Sequence, residues 1–453
     1  MKELILMKNY HRFECHSHSM YSNLRLLDSI NRPKELVERA IELGLAGIVI
    51  TDHESLSSHV EIDRLMSQYA ESNPDFKIAR GNEIYLTDTR EVGQKYWHFI
   101  LIAKDAIGHK MLRELSSNSW IKSYYDKGME RVPTLKTELA AIVEKYGQGH
   151  LIGSTACLGA EIDNYILELN NARIVGDKRT EQIAYQNILD FVQFGKRIFK
   201  DDFYLEVQPA RSKDQLIVNN MMGRIGKATN TKLIVTTDAH YLKKEDRWVH
   251  KAFLNSKSGD REVDSFYEYT YLQSTEEVIE NLKGTSLDYY ELEANTIEIY
   301  NKIENYSLLR NQHVPQIPVK EYPKVEYNSK YKTLNYLYNS DNVQERYWVN
   351  QCIDRMKELD IYNDEYLERL EYEADIKKHI GERLGSCIFS YPIFLQHYID
   401  LFWNCGSPVG SGRGSSSAGL NHYLLGITQS DPIKTGSPFW RYLNKERVEL
   451  PKR

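Results

Sequence analysis

At 453 residues the chain exceeds the roughly 150 residues of a typical domain, so two or three folding units are expected. Its hydrophobic content of 41% can fill cores, but no apolar run approaches the roughly 18 residues of a membrane span. The start MKELILMKNYHRF lacks the long apolar region and cleavage site of an export signal, so a cytoplasmic protein with no membrane partner is expected. A net charge of −6 excludes indiscriminate polyanion binding, and five cysteines without a CxxC pair exclude a disulfide framework and a zinc finger.

In chain order, strand character appears at FECHSH (13–18), AGIVITDH (46–53), FKIARGNEIYL (76–86), WHFILIA (97–103), LIGSTAC (151–157), FYLEVQ (203–208) and KLIVTTDAH (232–240). Helical patterns separate most of them; the clearest is RPKELVERAIELG, with Pro33 in a first turn, Leu36, Val37, Ala40 and Ile41 on one stripe, and Gly44 as the stop. Apolar strands alternating with helices predict βα units in a parallel sheet or barrel over residues 1–255.

The ends of these strands favour a barrel, because they concentrate metal-ligating side chains. His16 and His18 face one side of an extended segment, Asp52 and His53 close the second strand, Glu83 follows the third, and His98 lies in the fourth. Cys157 closes the fifth, Asp238 and His240 repeat the same-side spacing at the seventh, and Asp28 follows the first pair. The ends of a βα barrel meet at one mouth, so these residues are predicted to form a multinuclear metal site. Imidazole and carboxylate suit Zn, Mn or Fe, and a bridged ion pair suits phosphoester hydrolysis. His59, His109, His150, His250 and His422 lack such placement and are left out of the set.

The segments HSHSMYS…LLD, ITDH, GNE, WHFILIAK, TACLGAEI and TTDAHYL together resemble the PHP (polymerase and histidinol phosphatase) domain, in the form found at the N-terminus of bacterial and phage C-family DNA polymerases, the polymerase III alpha type. The resemblance implies a distorted seven-stranded phosphoesterase barrel. It also implies two or three divalent ions on His16, His18, Asp28, His53, Glu83, His98, Cys157, Asp238 and His240. Asp52, His53 and Asp238 are the expected catalytic residues, with Asp52 read as orienting an imidazole. The spacing from His18 to Asp28 is longer than the family's usual YSxLDG because of the inserted NLR-like stretch.

Past residue 255 longer helical patterns predict a second, mixed and mostly helical unit over 256–453. Ser274 and Glu277 form a capping box, and a helix is predicted to end near Tyr306. YLERLEYEADIKKHIG has Gly381 as its stop, and IFLQHYIDLFWNCG follows. VGSGRGSSSAGLNHYLLGITQSDPI then offers glycines, hydroxyls and Arg413 ahead of a helix beginning near Ala418, which is the physics of phosphate binding at a helix N-terminus. From Cys405 to Arg453 seven Lys/Arg outnumber three Asp/Glu, a local +4 that suits phosphate.

This stretch matches the GS motif of C-family polymerases, which implies an incomplete palm whose Arg413, Gly414 and Ser415 hold an incoming triphosphate. The closing RYLNKERVELPKR resembles the run into PDxDxDF, whose aspartates bind the catalytic Mg²⁺ of the complete polymerase, and Pro451 is followed here by Lys452. The resemblance therefore implies a replicative polymerase fragment with a 3′-5′ exonuclease site and no nucleotide addition alone. Its expected partners are primer-template DNA, dNTP, a C-terminal polymerase polypeptide and replication proteins. A free-standing PHP phosphoesterase and a non-catalytic metal-binding scaffold are the competing readings; the GS motif argues against the first, and the complete ligand set against the second.

Overall fold

The computed structural model describes residues 11–24, 27–126, 129–256, 266–310 and 314–446. The final RVELPKR of the palm-like run, and Arg25 and Leu26 of the long His18–Asp28 spacing, lie outside the described residues. Two compact units divide between Leu309 and Arg310, beyond the expected 255/256.

Among its described residues the first unit contains ten strands: β1 His11–Glu14, β2 Leu45–Ile50, β3 Lys77–Thr87, β4 Trp97–Ala103, β5 Tyr124–Asp126, β6 Met129–Arg131, β7 Pro133–Leu135, β8 Leu151–Ser154, β9 Phe203–Val207 and β10 Leu233–Val235. The helices between and after them are α1 Pro33–Glu42, α2 His59–Tyr69, α3 Ala106–Ile121, α4 Lys136–Tyr146, α5 Glu161–Val175, α6 Lys178–Phe199, α7 Lys213–Thr229, α8 Arg247–Leu254, α9 Thr275–Asn281 and α10 Tyr289–Lys302. The main sheet runs β1-β2-β3-β4-β8-β9-β10, with β7 added to β3. A bridge between Ser17 and Ala239, just past β1 and β10, brings its two edges together, so the sheet is a nearly closed barrel. All seven predicted strands are present, and β7 is an eighth.

The sheet is mixed rather than parallel: β4 runs antiparallel to both β3 and β8. The cause is local, since a loop with no helix connects β3 to β4 and so returns the chain in the opposite direction. The boundary moves past 255 for an equally physical reason. Helix α10 lies against β1, where Thr296 Oγ1 accepts from the Phe13 amide at 3.0 Å, and Lys77 Nζ donates to the carbonyls of Tyr300 and Ile303. The capping box at Ser274 forms as expected, with the Ser274 amide donating to Glu277 at 2.8 Å.

The second unit is helical: α11 Lys332–Asn339, α12 Val343–Glu358, α13 Asp364–Leu384, α14 Ser390–Asn404 and the short α15 Leu420–Leu424. Trp348, Val349, Cys352, Leu370, Ala374 and Leu420 form its core. Helix α13 passes through Gly381 and stops at Gly385, whose φ of 61° supplies the left-handed cap. Gly381 serves close packing instead, since a Cβ there would lie 2.7 Å from the Ser386 carbonyl oxygen. No helix among the described residues is long and apolar enough to cross a membrane.

Candidate metal centre

Strands β1, β2, β8 and β10 end two to five residues before the side chains expected to ligate, so His16, His18, His53, Cys157, Asp238 and His240 emerge from their C-terminal ends. Glu83 projects from within β3. His98 stands at the start of β4, and because β4 is antiparallel its start lies at the same mouth. Three non-glycine residues there hold positive φ, Glu54 at 42°, Ala156 at 61° and Asp238 at 47°, each next to or at an expected ligand position. A left-handed alanine costs on the order of 1–2 kcal/mol, held here by the surrounding packing.

The nine expected ligands converge. Glu83 Oε2 lies 2.8 Å from His53 Nδ1, 3.2 Å from His18 Nε2 and 3.6 Å from His16 Nε2, while its Oε1 lies 2.8 Å from His98 Nδ1. Asp238 Oδ1 sits 3.2 Å and 3.1 Å from the Nε2 atoms of His16 and His18. Asp28 Oδ2 reaches His53 Nε2 at 2.6 Å and His240 Nε2 at 2.7 Å. Cys157 Sγ approaches His98 Nδ1 at 3.5 Å. Within this set three clusters have metal-ligating geometry: His16, His18 and Asp238; His18, His53 and His240; His53, Glu83 and His98. Asp28 and Cys157 border them.

The donor set fits divalent cations. Both carboxylate oxygens of Glu83, both of Asp238 and His53 Nδ1 are buried without a hydrogen-bond partner, and His16 Nε2 and His18 Nε2 stand 3.0 Å apart. Orphaned buried acceptors are costly unless a cation satisfies them, and here all are turned toward one centre. Electrostatics agree. Burial alone would push the Asp28, Glu83 and Asp238 carboxyls up, yet the neighbouring histidines hold all three below the usual carboxylate range. Burial would push His16 down, but Asp238, Glu206 and Glu83 raise it well above its ordinary value. Burial, reinforced by Asp238 and Glu83, raises the Cys157 thiol. A site that stores this much opposed charge in so little space suits bound cations.

Around the ligands stands a second layer, part of which sequence reasoning missed. His16 Nδ1 donates to Glu206 Oε1 at 2.6 Å, which leaves Nε2 facing the centre. Glu206 is itself held by Ser154 Oγ at 2.6 Å and Thr236 Oγ1 at 2.5 Å. The signal was present: in FYLEV an acid interrupts a fully buried apolar strand. Tyr267 donates its hydroxyl to Asp28 Oδ1 at 2.8 Å, and His250, left out of the predicted set, donates Nε2 to the Asp28 carbonyl at 2.6 Å. Burial and the neighbouring His240 push His250 down to about 4, so it is a neutral support.

Asp52 stands apart from the three clusters. Its carboxylate accepts from Ser19 Oγ, Ser22 Oγ at 3.0 Å and Ser58 Oγ at 2.6 Å, and Ser22 Oγ meets His18 Nδ1 at 3.1 Å. Asp52 therefore reaches His18 through a serine, and the imidazole it bears on is not the adjacent His53. His59, the first residue of α2, and His109, in α3, pair with each other at 3.0 Å and belong to none of the three clusters.

In the second unit, Gly410 to Ser415 are exposed on a turn where Gly414 takes a φ of 64°. A 3-10 turn, Gly414–Ala418, precedes α15. The helix does begin near the expected place, but its first amides are already engaged: those of Leu420 and Asn421 donate to the buried Glu373 carboxylate at 2.7 Å and 3.0 Å. The expected phosphate site at that helix N-terminus is thus filled by a protein carboxylate, leaving the turn around Arg413, Gly414 and Ser415 as the open part of the motif.

Comparison with known proteins points to a family. Residues 14–210 match the PHP domain, and residues 338–452 match the bacterial DNA polymerase III alpha NTPase domain. With these two matches the chain is similar to the N-terminal part of polymerases of the DNA polymerase III alpha type. It is 36% identical over 96% of its length to a probable DNA polymerase YorL of Bacillus subtilis (strain 168) and, to the same extent, to a DNA-directed DNA polymerase of Bacillus phage SPbeta. A DNA polymerase III subunit alpha of Campylobacter jejuni is 32% identical over 96% of this chain. The chain spans 36%, 36% and 35% of these three relatives, about a third of each.

Proposed function

We propose that the barrel of this polymerase III alpha-type chain is a metal-dependent phosphoesterase that removes nucleotides from DNA 3′ ends. The observation that carries this reading is the position of Glu83, whose two oxygens reach His98 on one side and His16, His18 and His53 on the other. A carboxylate so placed is suited to bridge two cations. We assign His16, His18, Asp28, His53, Glu83, His98, Cys157, Asp238 and His240 as the set that holds two or three ions of Mn, Zn or Fe character. Such ions, when bound, supply an activated water and neutralise phosphate charge. The chain's own residues hold and orient: Glu206 keeps His16 in the tautomer with Nε2 inward, and Asp52 fixes His18 through Ser22. His53 and Asp238 face the centre directly and would act on the reacting phosphate through the ions they hold.

The second unit fits the palm portion of a polymerase, with Arg413, Gly414 and Ser415 turned toward a triphosphate and primer-template DNA, further polymerase polypeptide and replication proteins as its partners. Among the described residues every cluster with metal-ligating geometry lies in the barrel. Nucleotide addition needs two carboxylate-held Mg²⁺; that the 453-residue polypeptide does not perform it alone is part of this proposal, tested by primer extension with Mg²⁺ and all four nucleotides.

The test follows a 5′-labelled single-stranded primer with purified protein in Mn²⁺, Zn²⁺ or Fe²⁺, beside His18→Ala. Shortening by wild type and none by the variant is expected. Equal preservation of the primer by both proteins across the metals would leave a structural metal scaffold.

A further inference from the structure

Helix α14 has the composition of an interior helix. Its sequence SYPIFLQHYIDLFWN contains a single acid, Asp400, and no Lys or Arg. Its first turn is the most enclosed part: Ser390, Pro392 and Ile393 are buried, Ile393 joins the core containing Trp348 and Phe389, and Phe394, Leu395, Gln396 and Ile399 are half-buried. Beyond that turn Tyr398, Leu401, Phe402 and Trp403 are each 40% to 50% exposed. Phe394, Tyr398 and Phe402, at i, i+4 spacing, form a ladder of rings whose successive centroids are 6.2 Å and 5.1 Å apart. Helices apolar on nearly all sides are normally enclosed, and contiguous exposed apolar surface of this kind marks an interface.

The chemistry of the face selects its occupant. Single-stranded nucleic acid binds aromatic platforms interleaved with cations, and interfacial membrane helices carry a basic face; α14 has neither. The helix lies inside the segment matching the polymerase NTPase domain, and the chain corresponds to only 36% of the Bacillus subtilis relative. Nearly two-thirds of the relative's polypeptide therefore lies outside the matched part, available to enclose a helix of this composition.

We infer that the Phe394–Tyr398–Phe402 ladder, with Leu401 and Trp403, is the docking face for the polymerase polypeptide that the relatives carry outside the matched third. The contact is apolar, centred on the rings of Tyr398 and Phe402, with Asp400 at its rim. The inference rests on the polymerase match of residues 338–452 and not on the phosphoesterase reading of the barrel.

The experiment mixes the 453-residue protein with a polypeptide comprising the part of the Bacillus subtilis relative outside the aligned segment and measures binding by calorimetry and gel filtration. Saturable 1:1 binding is expected, weakened at least 50-fold by Tyr398→Asp with Phe402→Asp. The milder pair Leu401→Ser and Trp403→Ser, less prone to disturb folding, is expected to weaken it at least 5-fold. Ile174→Asp with Val175→Asp, exposed apolar residues elsewhere at 70% and 76%, is expected to leave binding unchanged. No binding by wild type, or equal binding by wild type and both α14 pairs, overturns the inference. Self-association of the chain that the α14 variants abolish, without binding to the added polypeptide, assigns the face to a second copy and overturns it too. Primer shortening, measured in parallel, is expected to be unaffected by the α14 variants, so failure of the phosphoesterase reading would be seen separately.

Discussion

The two functional regions of this chain are built on opposite plans. At the mouth of the barrel, eight of the nine expected ligands are at most 4% exposed, and several are braced by a further buried group, as His16 is by Glu206 and Asp28 by Tyr267. On the GS turn, Gly410 to Ser415 are all exposed, and the bracing lies beneath the turn, where Glu373 ties down the start of α15. On the function proposed above, the difference follows from what each would hold. Small cations are bound by convergent atoms at fixed separations, which requires rigid, desolvated ligands. A triphosphate is large and is met by backbone and one long cationic side chain, which requires an open, glycine-rich surface.

That contrast predicts a graded series of effects. The largest belongs to the ligands themselves: His18→Ala should lower phosphoester hydrolysis by on the order of a thousandfold and reduce bound metal, as read by elemental analysis of protein purified without chelators. Hydrolysis unchanged in this variant would mean that the buried centre is not the reactive one. Next comes the bracing layer. Glu206→Gln keeps the shape and the hydrogen-bonding capacity toward Ser154 and Thr236 but removes the charge facing His16; metal affinity should fall roughly 10- to 100-fold by competition titration, with the circular-dichroism spectrum retained. An unchanged affinity would reduce Glu206 to packing.

In the second unit the largest effect concerns stability. Lys377, fully buried, has no hydrogen-bond partner for its Nζ, and burial pulls it from 10.5 down to about 8 despite the opposing pull of Glu373. A lysine whose folded-state value is depressed destabilises the fold below that value, where the unfolded chain holds the proton more tightly. Lys377→Met should therefore stabilise this unit at pH 7 by about 1–3 kcal/mol, as read by denaturant unfolding. The gain should shrink as pH rises from about 8 toward 10.5, where the wild-type lysine becomes neutral in both states. A gain independent of pH would point to packing rather than charge.

Much of this organisation is legible in the sequence because ligands at strand ends leave a short-range signature. HSH, TDH and DAH each place two polar groups directly after an apolar run, and the nine residues they helped select meet at one mouth. What was not legible depends on distant partners. The direction of β4 is set by a helix-free connection, and β7 is a three-residue Pro-Thr-Leu strand with too little sequence to carry a period. Gly381 reads as a helix stop, but the Ser386 backbone packs against it and the cap falls to Gly385. Asp52 reads as orienting an imidazole, but which one depends on the fold, which routes it through Ser22 to His18. The amides near Ala418 read as an open phosphate site because Glu373, which occupies those of Leu420 and Asn421, comes from a helix 47 residues away.

The smallest expected effect sharpens the comparison most. Arg413 is exposed, and the turn that carries it is held by groups other than its guanidinium: Ser416 Oγ donates to the Arg413 carbonyl at 2.7 Å, and the Gln429 amide donates to the Ser411 carbonyl at 2.8 Å. Removing the side chain therefore leaves the frame of the turn intact, and Arg413→Ala should change unfolding free energy by no more than about 0.5 kcal/mol. Metal content and primer shortening should match wild type, since both belong to the barrel. Triphosphate affinity, measured by titration with a fluorescent nucleotide, should drop by about fivefold, the scale of one solvent-exposed charge-assisted contact near 1 kcal/mol. The opposite pattern, a marked loss of stability with affinity unchanged, would make Arg413 a structural residue and move the nucleotide contact elsewhere. The eight expected ligands buried to within a few per cent offer no position with this profile, because none of them can lose its side chain without loss of metal or of fold.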